Sequence, residues 1–293
     1  MMSNKIGVGI VTFNPNISKL AKTINTVLEN GFQVLIVDNN SKNKNMMKAS
    51  FLHKDIIFIF NEKNFGIAKA LNQIMNCAKK LNIEWMITLD QDSVITDKYL
   101  KTSLAYLEYD NVGILCPIIF DMKRKSIDST SKKIVKVISK EIKEVNTCIT
   151  SGSITNVKIW DKLNGFNEKL FIDYVDFEYC QRIRKNGYKI YQIQGLFLYH
   201  VIGDGKVYKI FNKQIEVFNH SAKRKYYIVR NKIYCDFLNK GNFDFKSCLS
   251  VGKVLLITIF FERKKFDKIS SITKGIKDGI LLALEEKNGK SYS

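Results

Sequence analysis

Apolar and polar positions along the first 120 residues switch repeatedly between two periods. Residues 5–12 (KIGVGIVT) form a short, nearly continuous apolar run, the pattern of a strand covered on both faces. Residues 14–31 then place Ile17, Leu20, Ile24, Val27 and Leu28 at helical spacing, with Gly31 as a stop signal. Residues 33–37 and 56–60 read as the second and third strands. Residues 67–81 read as a helix with Ile67, Leu71, Ile74 and Ala78 on one stripe. A strand over 85–89, a helix over 99–107 and a strand over 112–119 complete the series. Such alternation with short connections predicts an α/β fold, a mostly parallel, doubly wound sheet with helices on both faces. In sheets of that kind ligands sit beyond the carboxyl ends of the strands. Chemistry is therefore expected at Thr12-Phe13-Asn14, at Asp38-Asn39-Asn40, between Asn61 and Gly66, and at Asp90-Gln91-Asp92.

Beyond Asp121 the pattern changes. A basic connector (Lys123-Arg124-Lys125, Lys132-Lys133) leads to residues 134–138, which alternate like an edge strand, and residues 147–193 mix short strands and helices. From Gln214 to about Glu286 the chain reads as two or three helices with a basic face. The expected organisation is a domain over 1–210, in halves 1–120 and 121–210, followed by a helical extension over 211–293.

Composition narrows the function classes. A hydrophobic content of 45% supplies a substantial core and excludes wholesale disorder. Six cysteines without a CxxC pair read as buried or idle thiols of a reducing cytoplasm. The net charge of +19 is unevenly placed: residues 1–120 carry 13 Lys and Arg against 10 Asp and Glu, whereas residues 121–293 carry 34 against 18. A basic second half suits an anionic partner, either nucleic acid, lipid headgroups or a polyphosphate substrate, and is also what codon bias would produce. No nucleic-acid recognition motif accompanies the charge, so nucleic acid is not expected. The longest late apolar run, 254–261, is too short to span a bilayer, and no signal segment is visible. A soluble cytoplasmic protein, or one lying on a membrane surface, is expected.

Five places hold candidate chemistry. Asp90 and Asp92, spaced i and i+2 at a strand exit, fall on one face of an extended backbone, where they suit a hard divalent cation or a surface turn or helix cap. Asp38, also at a strand exit, can accept from the N3–H of a pyrimidine base or close an Asx turn with Asn39-Asn40-Ser41. Asn64-Phe65-Gly66 precedes a helix whose N-terminus favours negative charge, although no GxGxxG is present. Asp173, Asp176 and Glu178 open a helix running to Asn186; they suit the helix dipole, and one can serve as a general base. His200 precedes a Gly203-Asp204-Gly205 turn and is open to a structural or a working role.

Taken in order, these stretches resemble glycosyltransferase family 2, the inverting nucleotide-sugar transferases of GT-A fold, and within it the bacterial rhamnosyltransferases. The matching segments are Val11 to Asn14, Val37 to Ser41, Asn64 to Asn72, Leu89-Asp90-Gln91-Asp92-Ser93, Thr150 to Ser153, Phe171 to Glu178, His200 to Gly203 and Tyr227 to Asn231. The resemblance implies that Thr12, Asp38, Asn39, Asn64, Gly66, Lys69 and Asp90 hold the nucleotide sugar. It implies that Asp90, Asp92 and His200 bind Mg or Mn, that Asp176 is the catalytic base, and that Asp173, Glu178 and Arg230 assist or meet the acceptor. The DQDS form of the acidic motif points to a dTDP-L-rhamnose donor, with UDP-galactofuranose, UDP-glucose and UDP-N-acetylglucosamine as alternatives. The implied acceptor is a saccharide or a polyprenyl-diphosphate-linked saccharide. An anionic membrane surface is then the expected partner of a face including Lys253, Arg263, Lys264 and Lys265 beside Leu255, Leu256, Ile259 and Phe260, which would make the protein peripheral on the inner membrane face. Oligomeric state is left open.

Overall fold

The computed structural model describes residues 5–109, 111–121, 142–200, 205–210, 213–243 and 245–290, the side chains at 121, 200, 210, 213, 289 and 290 excepted. The chain divides into two compact units, Met1–Lys169 with Val175–Val201, and Leu170–Tyr174 with Ile202–Ser293.

Unit one is built on an eight-stranded sheet. Its elements run β1 (Ile6–Thr12), α1 (Ile17–Glu29), β2 (Gln33–Asp38), α2 (Lys44–Ser50), β3 (Ile56–Phe60), α3 (Ile67–Lys80), β4 (Trp85–Asp90) and α4 (Asp97–Leu104). They continue with β5 (Val112–Asp121), β6 (Ile142–Glu144), β7 (Ile154–Asn156), α5 (Val157–Lys162), α6 (Val175–Lys185) and β8 (Lys189–His200). Strand order is β3-β2-β1-β4-β7-β5-β8-β6. β1 pairs in parallel with β2 and β4, as do β2 with β3 and β5 with β8; only the short β6 and β7 are antiparallel to their neighbours.

Every residue of β1 is buried, which is why its sequence does not alternate. Ile6, Val8 and Ile10 belong to the cluster formed with Leu20, Ile24 and Val27 of α1 and Tyr99 and Leu100 of α4. The opposite face of β1 is small. A Cβ at Gly9 would stand 2.3 Å from Cγ2 of Ile74, so glycine there lets α3 lie directly on the sheet. Side-chain caps start the helices where the apolar stripes begin: Asn16 accepts from the Lys19 N–H at 3.1 Å, Thr96 from Tyr99 at 3.2 Å and Asn156 from Ile159 at 3.0 Å.

Unit two contains a hairpin, β9 (Lys206–Ile210) and β10 (Lys213–Val217), and three helices, α7 (Ala222–Lys240), α8 (Phe245–Phe261) and α9 (Lys265–Lys290). Helix is expected from Gln214 on sequence pattern, but residues 213–217 are a strand. Ile215 and Val217 alternate with Gln214 and Glu216 and pair with Tyr208 and Lys206. The helix begins only where Ser221 caps it by accepting from the Arg224 N–H at 3.2 Å. The edge strand expected over 134–138 lies outside the described residues. α7 and α9 approach closely: a Cβ at Gly275 would stand 2.7 Å from the Tyr226 carbonyl oxygen, and one at Gly279 the same distance from that of Arg230. No helix among the described residues is long and apolar enough to cross a membrane.

The α8–α9 corner is pinned by buried charge. Glu262 accepts from Lys225 Nζ at 2.6 Å and from Lys268 Nζ at 2.8 Å, and Lys268 also donates to Asn219 Oδ1 at 2.7 Å. Burial by itself would raise the Glu262 carboxyl, but the two ammonium groups together hold it below the ordinary range. A depressed folded-state pKa contributes stability above the unfolded value and loses it as pH falls through the folded value. Glu262→Ala, which strands two buried cations, should cost about 3–5 kcal/mol in denaturant unfolding. Glu262→Gln should flatten the acid-side fall in melting temperature. An unchanged pH profile in Glu262→Gln would remove the carboxylate from that role.

Candidate active site

The parallel register brings the exits of β1, β2 and β4 to one level. Thr12 pairs with Asp38 and Val11 with Asp90. Asp38 is fully buried, and its carboxylate is satisfied from within the site. Oδ1 accepts from the Thr12 hydroxyl at 2.8 Å and from the Ser41 hydroxyl at 2.5 Å, and Oδ2 accepts from the Ser41 N–H at 2.7 Å. Ser41 Oγ in turn accepts from the Asn14 N–H at 2.7 Å, and the Asn14 side chain accepts from the Lys42 N–H at 2.8 Å. Two strand-exit loops are thereby sewn together around one carboxylate.

Asn39 continues the network toward α3. Its Oδ1 accepts from Asn61 Nδ2 at 2.9 Å, and its Nδ2 donates to the Gly66 carbonyl at 3.2 Å. Asn64 Oδ1 accepts from the Gly66 N–H at 2.9 Å, and Gly66 has a φ of 87°, a left-handed turn into the first residue of α3. Lys69, in the first turn of α3, is paired with Glu168 at 2.9 Å and remains partly exposed.

The acidic motif is held from two sides. Gln91 Oε1 accepts from the Phe13 N–H at 2.8 Å, joining the β4 exit to the β1 exit. Ser151 Oγ accepts from the Asp90 N–H at 3.1 Å and lies 2.7 Å from Ser93 Oγ. Asp90 is half-buried and Asp92 is exposed. Ser151 sits in a turn that crosses β4: the Gly152 N–H donates to the Thr88 carbonyl at 2.7 Å, and the Tyr99 hydroxyl donates to the Gly152 carbonyl. Gly152 has a φ of 77°, and a Cβ there would stand 2.6 Å from Leu198 Cδ2, so both its backbone and its surroundings require glycine.

The same turn reaches α6. Ser153 Oγ lies 3.5 Å from Cys148 Sγ, and Cys148 Sγ lies 3.8 Å from Cys180 Sγ on α6. Ile183, nearer the end of α6, covers Gly113 near the start of β5. α6 therefore runs opposite to β5, and its first turn points to the edge of the sheet that carries Asp90 and Asp92. Asp176 stands in that turn, half-exposed, with Oδ1 accepting from the Phe177 N–H at 2.9 Å. Glu178 is buried and grips Arg182 at 2.6 and 2.8 Å; Arg182 also donates to the Leu163 and Gly165 carbonyls.

Asp173 and Arg230 belong to unit two. Asp173, at a φ of 64°, accepts from Arg224 at 3.0 and 3.2 Å. Arg230 donates to Asn231 Oδ1 at 2.8 Å and lies over the Tyr227 ring at 4.8 Å, while Asn231 Nδ2 donates to the carbonyls of Ile172 and Asp173. His200 ends β8, and its side chain falls outside the described residues. Among the described residues no three His, Cys, Asp or Glu side chains gather as a metal cage. Two carboxylates at a strand exit nonetheless fit Mg²⁺ or Mn²⁺, which take hard oxygen ligands and complete their shell with substrate phosphates and water.

The fold is the GT-A fold of glycosyltransferases. Residues 8–163 match the model for glycosyl transferase family 2, and the chain belongs to that family. It is 30% identical over 238 residues to the dTDP-rhamnosyl transferase RfbF of Shigella flexneri, covering 78% of this chain and 79% of that protein. It is also 23% identical over 243 residues to the uncharacterized glycosyltransferase MJ1057 of Methanocaldococcus jannaschii, covering 79% and 82%. Among solved structures, S. aureus TarS 1-349 matches with a TM-score of 0.57 at 13% identity, over 99% of this chain and 92% of that one. GalNAc-T7 with UDP, GalNAc and Mn²⁺ matches with 0.55 at 17%, over 77% of this chain and 47% of that chain.

Gln91 and Ser151 emerge as positioning residues with no role expected from sequence, and Ser41 closes the turn expected after Asp38 while also donating its hydroxyl to that carboxylate. For Gln91 the only sequence signal is adjacency to the acidic positions. The buried Asp38 network yields a direct test. Asp38→Asn replaces an acceptor with an amide that cannot accept from all three donors, leaving at least one buried and unpaired. Urea unfolding should show a loss of about 1–3 kcal/mol; a variant as stable as the parent would contradict the network.

Proposed function

We infer that this glycosyltransferase moves L-rhamnose from dTDP-L-rhamnose to a hydroxyl of a saccharide acceptor, with inversion, in cell-surface polysaccharide synthesis. The observation that carries the reading is the alignment of the Thr12–Asp38 pair with Asp90 and Asp92 along one edge of the sheet, joined by the Gln91–Phe13 bond. The choice of donor is supported by the name of the Shigella relative. In this reading Thr12, Asp38 and Asn39 shape the nucleoside site, and Asn64, Gly66 and Lys69 border it.

Departure of a nucleoside diphosphate builds negative charge on its oxygens as the anomeric carbon becomes positive. A divalent ion held by Asp90, Asp92 and His200 would supply the counter-charge there. Asp176 takes the proton from the attacking acceptor hydroxyl. A single in-line displacement needs one base and no covalent intermediate, which accounts for the other two local carboxylates having other work. Glu178 braces α6 through Arg182, and Asp173 holds the turn before α6 through Arg224. The acceptor is taken to be a polyprenyl-diphosphate-linked saccharide, met at the cytoplasmic face of the membrane by a peripherally bound enzyme. Arg230 is assigned to the acceptor or diphosphate.

A panel of nucleotide sugars tests the donor: slow, metal-dependent hydrolysis should be fastest with dTDP-L-rhamnose, and preference for a UDP-sugar would replace it. Asp176→Asn should lower transfer by about a thousandfold or more with donor affinity nearly unchanged; sustained turnover would take Asp176 out of its role. Asp92→Ala should weaken metal and donor together, about tenfold or more.

A further inference from the structure

α8 is apolar on two opposite sides. Ser247, Val251 and Thr258 are buried, and Val251 packs with Val229, Ile233 and Ile272 in the core of unit two. At 3.6 residues per turn, Phe245, Leu249, Leu256 and Phe260 fall within about 60° of one another on the far side. All four are exposed, Phe245 at 76% and Phe260 at 68%. A helix that merely covers a core carries polar residues on its outer face. Here that face is apolar, and Lys246 and Lys253, both exposed, line one side of it.

The turn after α8 and the start of α9 are apolar and basic as well. Phe266 is 90% exposed and stands beside Arg263, Lys264 and Lys265, all exposed. This corner is not a loose loop. The buried Glu262, held by Lys225 and Lys268, and the Arg263 N–H donating to Asn219 Oδ1 at 3.2 Å fix it from below. Large aromatics are thus presented to water by a rigid support. Leu255, expected on the outer face from sequence, instead packs against the core, and Phe245, Leu249 and Phe266 take the outer positions.

We propose that the outer face of α8 and the α8–α9 corner form a docking surface for a bilayer containing anionic lipid. Phe260 and Phe266 enter the headgroup–acyl boundary while Lys246, Lys253, Arg263, Lys264 and Lys265 meet phosphate groups. Charge complementarity selects this occupant over a second copy of the chain. A two-fold contact would press the same cationic rim against itself, with Asp267 as the neighbouring exposed carboxylate. The surface defines how the enzyme is retained at a membrane, and it does not depend on which sugar is transferred.

Flotation of the full chain with phosphatidylcholine vesicles, with and without phosphatidylglycerol, reads this directly. Binding should require the anionic lipid, fall as salt rises, and drop about tenfold or more in the Phe260→Ser, Phe266→Ser double variant. Lys264→Glu with Lys265→Glu should weaken binding comparably at low salt while leaving the aromatics in place. Both variants should keep the parent's circular dichroism and donor hydrolysis, which separates lost docking from lost folding and from failure of the transfer reading. Absence of binding by the parent, equal binding to neutral vesicles, or undiminished binding by both variants would overturn the proposal. So would a dimer in light scattering that the double serine variant dissolves, which would assign the face to a second copy.

Discussion

Hydrogen bonding between parallel strands fixes where they end relative to one another, and the candidate site depends on that registration. Thr12 lies opposite Asp38, and Val11 opposite Asp90. A one-residue slip would turn each side chain to the other face of the sheet. Such a slip would bury Gly7 and Gly9 where Val8 and Ile10 now pack, and would bring bulk against Ile74 where only glycine fits. The apolar core thus enforces the position of the polar ends. A buried carboxylate without partners is expensive. Asp38 is supported because the same registration puts the Thr12 hydroxyl beside it and its own turn brings Ser41 back to it.

Residues far apart in sequence are then linked by contacts rather than by proximity along the chain. Gln91 ties the β4 exit to Phe13, and Ser151 anchors Asp90 from a turn that also carries Cys148 to the side of α6. The helix bearing Asp176 is oriented by Ile183 on Gly113 and stiffened by the Glu178–Arg182 clamp. The general base proposed at Asp176 would have to be held closely in place to work. A short helix wedged against the sheet is better suited to that than a free loop.

Much of this was legible in the sequence where one element's own pattern determines its state. β1, β2, β3 and β4 are apolar runs with polar exits, and α1 and α3 carry clear stripes, so their order gave the fold class. α2 was not legible, because Met47 is its only buried residue and no stripe exists to see. The β9–β10 hairpin was hidden because Ile215 also fits the helical spacing of the residues after it. Pairwise partners were the least legible layer. The roles of Gln91 and Ser151, and the ion pair of Lys69 with Glu168, depend on residues that only folding brings near, whereas Ser41 lies three residues from Asp38 and Arg182 four from Glu178. The outer face of α8 was half legible: its composition gave apolar and basic character, and only the packed helix reveals that Leu255 turns inward while Phe245 and Leu249 turn outward.

Asp38, Asp90 and Asp92 stand at neighbouring strand exits, the edge on which the proposed nucleoside diphosphate would lie. A crystal structure of the protein soaked with dTDP and Mn²⁺ measures this most directly. The account predicts the base near the Asp38–Asn39 loop, the diphosphate crossing the exits of β1 and β4, and Mn²⁺ on the carboxylates of the DQDS motif. Nucleotide density elsewhere on the molecule, with those carboxylates free of metal, would contradict it.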